Sequence, residues 1–376
     1  MILSGVAAPS GLALETSKKI FSLKEAEDVG ITADYDTANV VHAHRNIKEF
    51  YAQGGNGLPL WIMVVANTIE MADICNKSNN KYAKQLLDDA KGEIRLLGIT
   101  RKPDEGYEPT TDHGLDDDAY DAAVNLQSLL ADYEAAFTPA VGIIEGRLFK
   151  GDAGELVNLR TASMNRVAIT LASGENAIIS DEHDLSASVG LLLGRLASDP
   201  VQRKCSRKKT GALSVTQGYL SDGSKVDAFA ALGDLHDKGF IAMRNFAGVT
   251  GFYFTGDPTA TALTDDYAMI SRRRVINKAI TIAYTTYVNE IEDEVLVDAE
   301  GKIHPGQIKN WQALIDNQVN SQMTATGEIS AFRSFIDPDQ NVISTNKVYI
   351  TLRITPVGYA TDIEISLGFE NPALTA

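Results

Sequence analysis

The side chains able to do chemistry in this sequence are few and scattered. Six histidines stand at positions 42, 44, 113, 183, 236 and 304, and the two cysteines, Cys75 and Cys205, lie far apart. His42 and His44 fall two apart in a helical stretch, so their rings leave on different faces and cannot share one metal as an i, i+4 pair would. Two distant thiols offer neither a disulfide framework nor a zinc cage. The sequence contains no H-E-x-x-H, G-x-S-x-G or C-x-x-C, the spacings of zinc proteases, serine hydrolases and dithiol redox sites. Gly54-Gly55-Asn56-Gly57 is the one glycine cluster that invites a phosphate-cradle reading. A cradle needs strand, glycines, then helix, so that helix amides face the anion. Here the order is helix, glycines, strand.

Charge supplies the other candidates. Between Asp104 and Asp121 there are eight carboxylates with His113 among them, and no Lys or Arg occurs between Lys102 and Arg147. A calcium loop needs alternating ligands around a central glycine and a distal Glu, a register this stretch lacks. It reads as a solvated loop and helix N-terminus. Two basic clusters stand against it: Arg203-Lys204 with Arg207-Lys208-Lys209, and Arg272-Arg273-Arg274 with Lys278. Each is a solvated face, a phosphate contact or a docking surface for an acidic partner. The net charge of −16 over 376 residues argues against nucleic acid as a partner. No catalytic, cofactor-binding or metal-ligating set emerges, and the chain is expected not to be an enzyme.

The elements that would position these residues fall into two styles. Ser22 with Glu25 is a capping box opening a short helix, and Asp36 is expected to cap a second helix that ends at Gly54-Gly55. Leu58 to Ala66 is a continuous apolar run of the kind buried on both faces of a parallel sheet. Helix follows from Thr68 to Lys91, interrupted at 76–80, then strand from Glu93 to Ile99 and helix from Leu115 to Phe137. Strands at Ala140–Gly146 and Arg166–Ala172 and a helix from Asp184 to Ser198 complete a β-α rhythm, the pattern of an open, mainly parallel α/β sheet. Past Asp199-Pro200 the rhythm changes to α+β. Strands are expected at 240–246 and 249–254, long helices at about 265–292 and 305–323, and period-two strands at 347–355 and 361–369. The boundary is placed near residue 200, giving units of 1–200 and 201–376. No apolar run approaches the ~20 residues that cross a bilayer, and no signal peptide leads the chain, so synthesis in the cytoplasm is expected. The chain opens on one strand-like segment and closes on two. These either pair with each other or are donated to a neighbour's sheet edge.

The C-terminal residues carry a resemblance. Thr255-Gly256-Asp257-Pro258-Thr259-Ala260, then Leu263-Thr264-Asp265-Asp266-Tyr267, then Arg272-Arg273-Arg274-Val275-Ile276-Asn277-Lys278-Ala279 resembles the C-terminal domain of contractile phage tail sheath proteins. The ending is similar too, with Ile343 to Val348, Ile354-Thr355-Pro356-Val357-Gly358-Tyr359-Ala360 and Ile363 to Phe369. The first half, with Phe50-Tyr51 and the strand Leu60 to Val65, is similar to the family's α/β middle domain, which is subtilisin-like in fold but without a protease triad. Family members carry an extension ahead of the first strand. Here Met1 lies almost on that strand, so the arm is expected to be short or missing from this chain.

The resemblance implies a structural subunit that polymerises as stacked six-fold rings around an inner tube and contracts to drive the tube through a target envelope. It implies partners: further copies of the chain, an inner tail tube protein, and baseplate and terminator proteins. It implies neither a cofactor nor insertion into a membrane, and a place in a virion tail or phage-like particle assembled in the bacterial cytoplasm. Intersubunit strands would be formed by Ile2, Leu3 and Val6 and by Ile363, Ile365, Leu367 and Phe369. Lys309, on the helix from Pro305 to Met323, is the candidate inner-tube contact, with Arg272, Arg273 and Arg274 as rivals. The alternatives are an α/β enzyme, a hydrolase or nucleotide-binding protein with titratable groups converging at the strand C-termini, and a baseplate or terminator relative of the sheath.

Overall fold

The computed structural model describes residues 1–8, 11–175 and 185–361. In chain order, β1 (Ile2–Gly5) and β2 (Lys18–Ile20) lead into α1 (Leu23–Asp28), α2 (Ala33–Asn39) and α3 (Ala43–Gly54). β3 (Leu60–Ala66), α4 (Met71–Ile74), α5 (Tyr82–Asp89), β4 (Leu96–Ile99), α6 (Asp117–Ala135) and β5 (Val141–Glu145) follow. After β6 (Ser163–Met164), β7 (Val167–Thr170) and β8 (Ala172–Ser173) comes α7 (Val189–Ser198). These elements realise the β-α rhythm: a six-stranded sheet of order β2-β3-β1-β4-β5-β7, parallel except for β2 against β3. The fold is α/β with a mainly parallel sheet.

Local chemistry explains the helix ends. Ser22 Oγ accepts the Glu25 N–H at 3.3 Å, and the Glu25 carboxylate reaches back to the Phe21 N–H at 3.1 Å. The expected second helix is two. α2 is capped by Thr32, and the chain breaks at Val40 in the left-handed region before α3 begins. Asp36 does cap a helix, but the following one, because its two carboxylate oxygens accept the N–H groups of His44 and Arg45 at 2.9 Å each.

α3 and α7 pack on one face of the sheet with their backbones nearly in contact. A methyl group at Gly190 would sit on the Asn46 carbonyl, and one at Gly194 on the Phe50 carbonyl. The Asn46 side chain joins the two helices by accepting the Gly190 N–H at 3.0 Å.

The segment from 200 to 270 completes this unit. β9 (Tyr219–Leu220) pairs with β8, and α8 (Leu232–Asp237) leads to Ile241, which bridges Thr170 in parallel and so extends the sheet beyond β7. The hairpin of β10 (Met243–Phe246) and β11 (Val249–Phe254) follows, and then β12 (Ala260–Thr261), paired with β6. The main hydrophobic core runs without interruption from Met1 to Ile270, so the boundary expected near residue 200 lies within it. The second unit is α9 (Ile270–Tyr287) and α10 (Pro305–Val319) packed on β13 (Ile329–Ile336) and β14 (Ile350–Pro356), with the short α11 (Val342–Thr345) between the strands. Its core joins Val275, Ile282, Ile315, Val319 and Ile329, with a satellite around Trp311 and Ile336.

Replacing Gly190 by Ala should lower thermal stability sharply, by about 3 kcal/mol or more, because the added carbon meets backbone that cannot turn aside. Gly233→Ala, in α8 with open space around its Cα, should be neutral or raise stability by up to about 1 kcal/mol. Equal melting temperatures for the two variants would show that α3 and α7 separate at little cost.

Candidate functional site

β13 and β14 form a ribbon of two antiparallel strands, in register from Ala331 opposite Thr355 to Ile336 opposite Ile350, with a bulge between Ala331 and Ile329, which lies opposite Pro356. Phe332 and Ile336, with Ile350, Leu352 and Ile354, face α9 and α10, while Arg333, Phe335, Thr351 and Arg353 face outward and are exposed. Among the described residues no third strand joins either edge. Among the described residues each edge therefore presents backbone N–H and C=O groups that no strand pairs, the kind of edge to which a further strand can add.

Beside the ribbon, α9 and the inner face of β14 leave a groove of about 1200 Å³. Its walls are aromatic: Tyr284 stacks on Phe137 at 4.9 Å and 12°, and Tyr287, Trp311 and Tyr349 continue the surface. Trp311 donates its Nε1–H to Glu290 at 2.7 Å, and Tyr287 donates to the Trp311 carbonyl at 3.0 Å. Glu292 and Asp293 stand exposed on the rim.

The structure separates the residues expected at subunit contacts. Ile2 and Leu3 are fully buried in β1, which pairs with β3 on one side and β4 on the other. This corrects the expectation that the first strand is donated, since both its edges are filled from within the chain. Val6, beyond the strand, is partly exposed, and its N–H and C=O are both bonded to the Tyr35 hydroxyl, at 3.0 and 2.6 Å. Ile363, Ile365, Leu367 and Phe369 lie outside the described residues.

Of the tube-contact candidates, Lys309 is exposed on α10, with its ammonium 3.3 Å from Gln312 Oε1. Arg273 is buried, ion-paired with Glu134 and 4.8 Å from the centre of the Tyr267 ring, which corrects its assignment to an outer surface. Arg274 donates to the Asp199 carbonyl at 3.0 Å, and burial lowers it to about 10. Arg272 is half-buried.

An α/β enzyme would keep its site at the C-terminal ends of β1 and β4, where the strand order reverses. Here that crevice is filled. The Tyr35 hydroxyl lies against Gly5, and Ser4 Oγ accepts the Lys102 N–H. Charged groups do converge beneath it, but they are buried and spent on one another. Arg101 pairs with Asp118 at 2.7 Å, and Arg147 with Asp116 at 2.5 Å. Asp118 also accepts the Met71 and Ala72 N–H groups at the start of α4, and Tyr107 donates to Asp116. Two carboxylates of the acidic stretch expected to be solvated are thus core ion pairs. Glu145, at the end of β5, accepts the N–H groups of Arg101 and Ala187 at 2.8 and 3.0 Å. Sequence reasoning missed this cluster because its basic members come from the ends of separate strands. A second cavity, of about 450 Å³, opens at the opposite end of the sheet, beside Leu60, Trp61 and Leu96. Among the described residues no group of three His, Cys, Asp or Glu is placed to hold a metal, and no helix is long and apolar enough to cross a membrane.

Comparison with known proteins adds two kinds of match. The family model described as DUF2586, N-terminal domain, matches residues 1–257, and that described as DUF2586, C-terminal domain, matches residues 266–374. The chain is similar in structure to one in the cryo-EM structure of the anti-feeding prophage (AFP) baseplate, 6-fold symmetrised. That match has a TM-score of 0.63 and 15% identity, and covers 98% of this chain and 92% of the other. A chain in the cryo-EM structure of an extracellular contractile injection system, the PVC sheath complex in contracted state, matches with a TM-score of 0.61 and 13% identity. There the coverage is 98% of this chain and 91% of the other. No curated protein matches the sequence. At these identities the likeness is one of fold, and it extends over the α/β unit and the helix-backed ribbon together.

Burial pushes the Glu145 carboxyl up to about 7, with Arg147 and the two N–H donors pulling the other way. A carboxyl that holds its proton more tightly when folded contributes stability present below its unfolded value and lost as pH rises through about 7. The urea midpoint should therefore fall between about pH 5 and pH 8, and Glu145→Gln should flatten that decline. An identical decline in the variant would mean that Glu145 is ionised in the folded chain throughout.

Proposed function

We propose that this chain, which belongs to the DUF2586 family, is a structural subunit of a contractile injection particle, and that it serves there as a sheath protomer. The observation that carries the reading is the whole-length agreement of fold with chains from two contractile assemblies. The ribbon, whose edges no third strand joins among the described residues, supports it, since a protein that must hold its neighbours through large rotations needs links made by the main chain. On this reading the α/β unit corresponds to the sheath middle domain, subtilisin-like but without a triad, and residues beyond about 270 to the C-terminal sheath domain.

Copies would form six-fold rings stacked around an inner tube. Strands from neighbours would add to β13 and β14, and the segment containing Ile363, Ile365, Leu367 and Phe369, a few residues past β14, would be one donor. Lys309 on α10 and the half-buried Arg272 are the basic groups left to meet the tube. The extended lattice would be the metastable form, and contraction would release energy by burying more surface between subunits. The work is mechanical, and the reading assigns the chain no catalysed reaction, cofactor, nucleic acid or membrane insertion. Its partners are further copies, the tube protein, and the baseplate and terminator that start and stop the stack. The particle is a virion tail or phage-like device assembled in a bacterial cytoplasm.

A baseplate subunit is the second reading, favoured by the match to a chain of a baseplate assembly. Electron microscopy of the concentrated protein separates them. A sheath protomer should give hollow striated cylinders, and deletion of Thr361 to Ala376 should leave a folded monomer that forms none. Single flat rings, or folded monomers even with the tube protein present, would reject the sheath role in favour of the baseplate.

A further inference from the structure

A chain carrying sixteen net negative charges repels its own copies at long range, and a contact that brings a basic patch onto an acidic one offsets that repulsion. The turn of the β10–β11 hairpin carries such a patch. The Phe246 ring lies beneath two cations, Lys208 Nζ at 3.8 Å and the Arg244 guanidinium at 4.3 Å from its centre, and Tyr253 meets it edge-on. Val249, 44% exposed, caps the turn, and Lys209 stands exposed alongside. Lys208, Lys209 and Arg244 have no carboxylate in ion-pair reach among the described residues. The result is an apolar knob on the α/β unit, ringed by positive charge that no described carboxylate pairs.

The groove between α9 and β14 is its complement. At about 1200 Å³ it exceeds the 300–1,000 Å³ or so of small-molecule sites, which suits a polypeptide turn. Its walls are the aromatic rings of Tyr284, Tyr287 and Tyr349, while Glu292 and Asp293 on the rim make no ion pair among the described residues. Ile291 and Tyr349 are 62% and 67% exposed there, a degree of apolar exposure that marks a contact surface.

We propose that the β10–β11 knob of one copy docks in the α9–β14 groove of the next, Phe246 and Val249 entering the groove and Lys208, Lys209 and Arg244 meeting Glu292 and Asp293. Knob and groove are different patches, so the contact is head-to-tail, the class that propagates into rings or helices. The contact deepens the sheath reading but does not require it.

The test uses two full-length surface variants. In one, Lys208 and Lys209 are both changed to Glu. In the other, Glu292 and Asp293 are both changed to Lys. Sedimentation velocity across a concentration series should show each variant alone associating at least about tenfold more weakly than the native chain. An equimolar mixture should return to near-native association, because the acidic knob of one then faces the basic groove of the other, and the reverse pair also matches. A native chain monomeric at every concentration, single variants that associate like it, or a mixture that stays dissociated would overturn the proposal. Cylinders formed by the native chain and by both variants would reject this contact while leaving the sheath reading standing. Rescue in the mixture with no cylinders from the native chain would do the opposite.

Discussion

The two units of the molecule are joined through a buried guanidinium. Arg273, at 1% exposure, reaches from the first turns of α9 to Glu134 at the end of α6, where the same carboxylate also holds Arg166 Nε at 2.5 Å. A carboxylate in the last turn of a helix is badly placed against the helix dipole, and two guanidinium groups offset that. Removing Arg273 from water is costly enough that burial lowers it to about 10. Such a group stays buried only while its partner is in place. The contact therefore fixes the register of α9 against the α/β unit. Arg274 on the Asp199 carbonyl and Phe137 on Tyr284 hold the same line. The ribbon in turn depends on α9, through the apolar seam of Val275, Ile282 and Ile329 and the Lys278–Glu328 pair at 2.6 Å.

The six-stranded sheet and the β13–β14 ribbon differ in how their strands are paired. β1 sits mid-sheet with partners on both sides, and the fold that surrounds it leaves it nothing to exchange. The ribbon of β13 and β14 is the reverse, since two strands satisfy only the groups that face each other. A two-stranded ribbon is marginal alone, and here α9 and α10 cover one face while no further strand joins the edges among the described residues. β1 therefore has no free edge, whereas β13 and β14 each keep one among the described residues.

Most of the framework was legible in the sequence because it rests on local pattern. The apolar run that became β3, the strand Val249–Phe254 and the acidic start of α6 follow from periodicity and capping alone. The failures have physical causes. β13 was hidden because a bulge between Ile329 and Ala331 breaks its period-two alternation. Asp116 and Asp118 looked solvated because their partners, Arg147 and Arg101, come from the far ends of other strands. Three successive arginines looked like one basic surface, but helical rotation of about 100° per residue turns Arg273 inward. β1 was offered as a donor because a terminal strand-like run carries no sign of which sheet position it takes. The groove was not legible at all, since its walls come from α6, α9, α10 and β14.

The path of the chain after β14 ties the ribbon back to the first unit. Past Pro356 the backbone returns to the α/β unit, where the Tyr359 hydroxyl donates to the Gln202 carbonyl at 2.5 Å and the Lys204 ammonium lies 4.9 Å from its ring centre. The segment leaving the ribbon is thus anchored to the same body that carries the saturated sheet. The loop around Lys204 is held in turn, since Lys204 ion-pairs with buried Asp257 at 3.8 Å. Asp257 receives both the hydroxyl and the N–H of Ser271 at the start of α9. The end of the ribbon, the chain just past α7 and the root of α9 therefore meet at one place, around Gln202, Lys204 and Asp257.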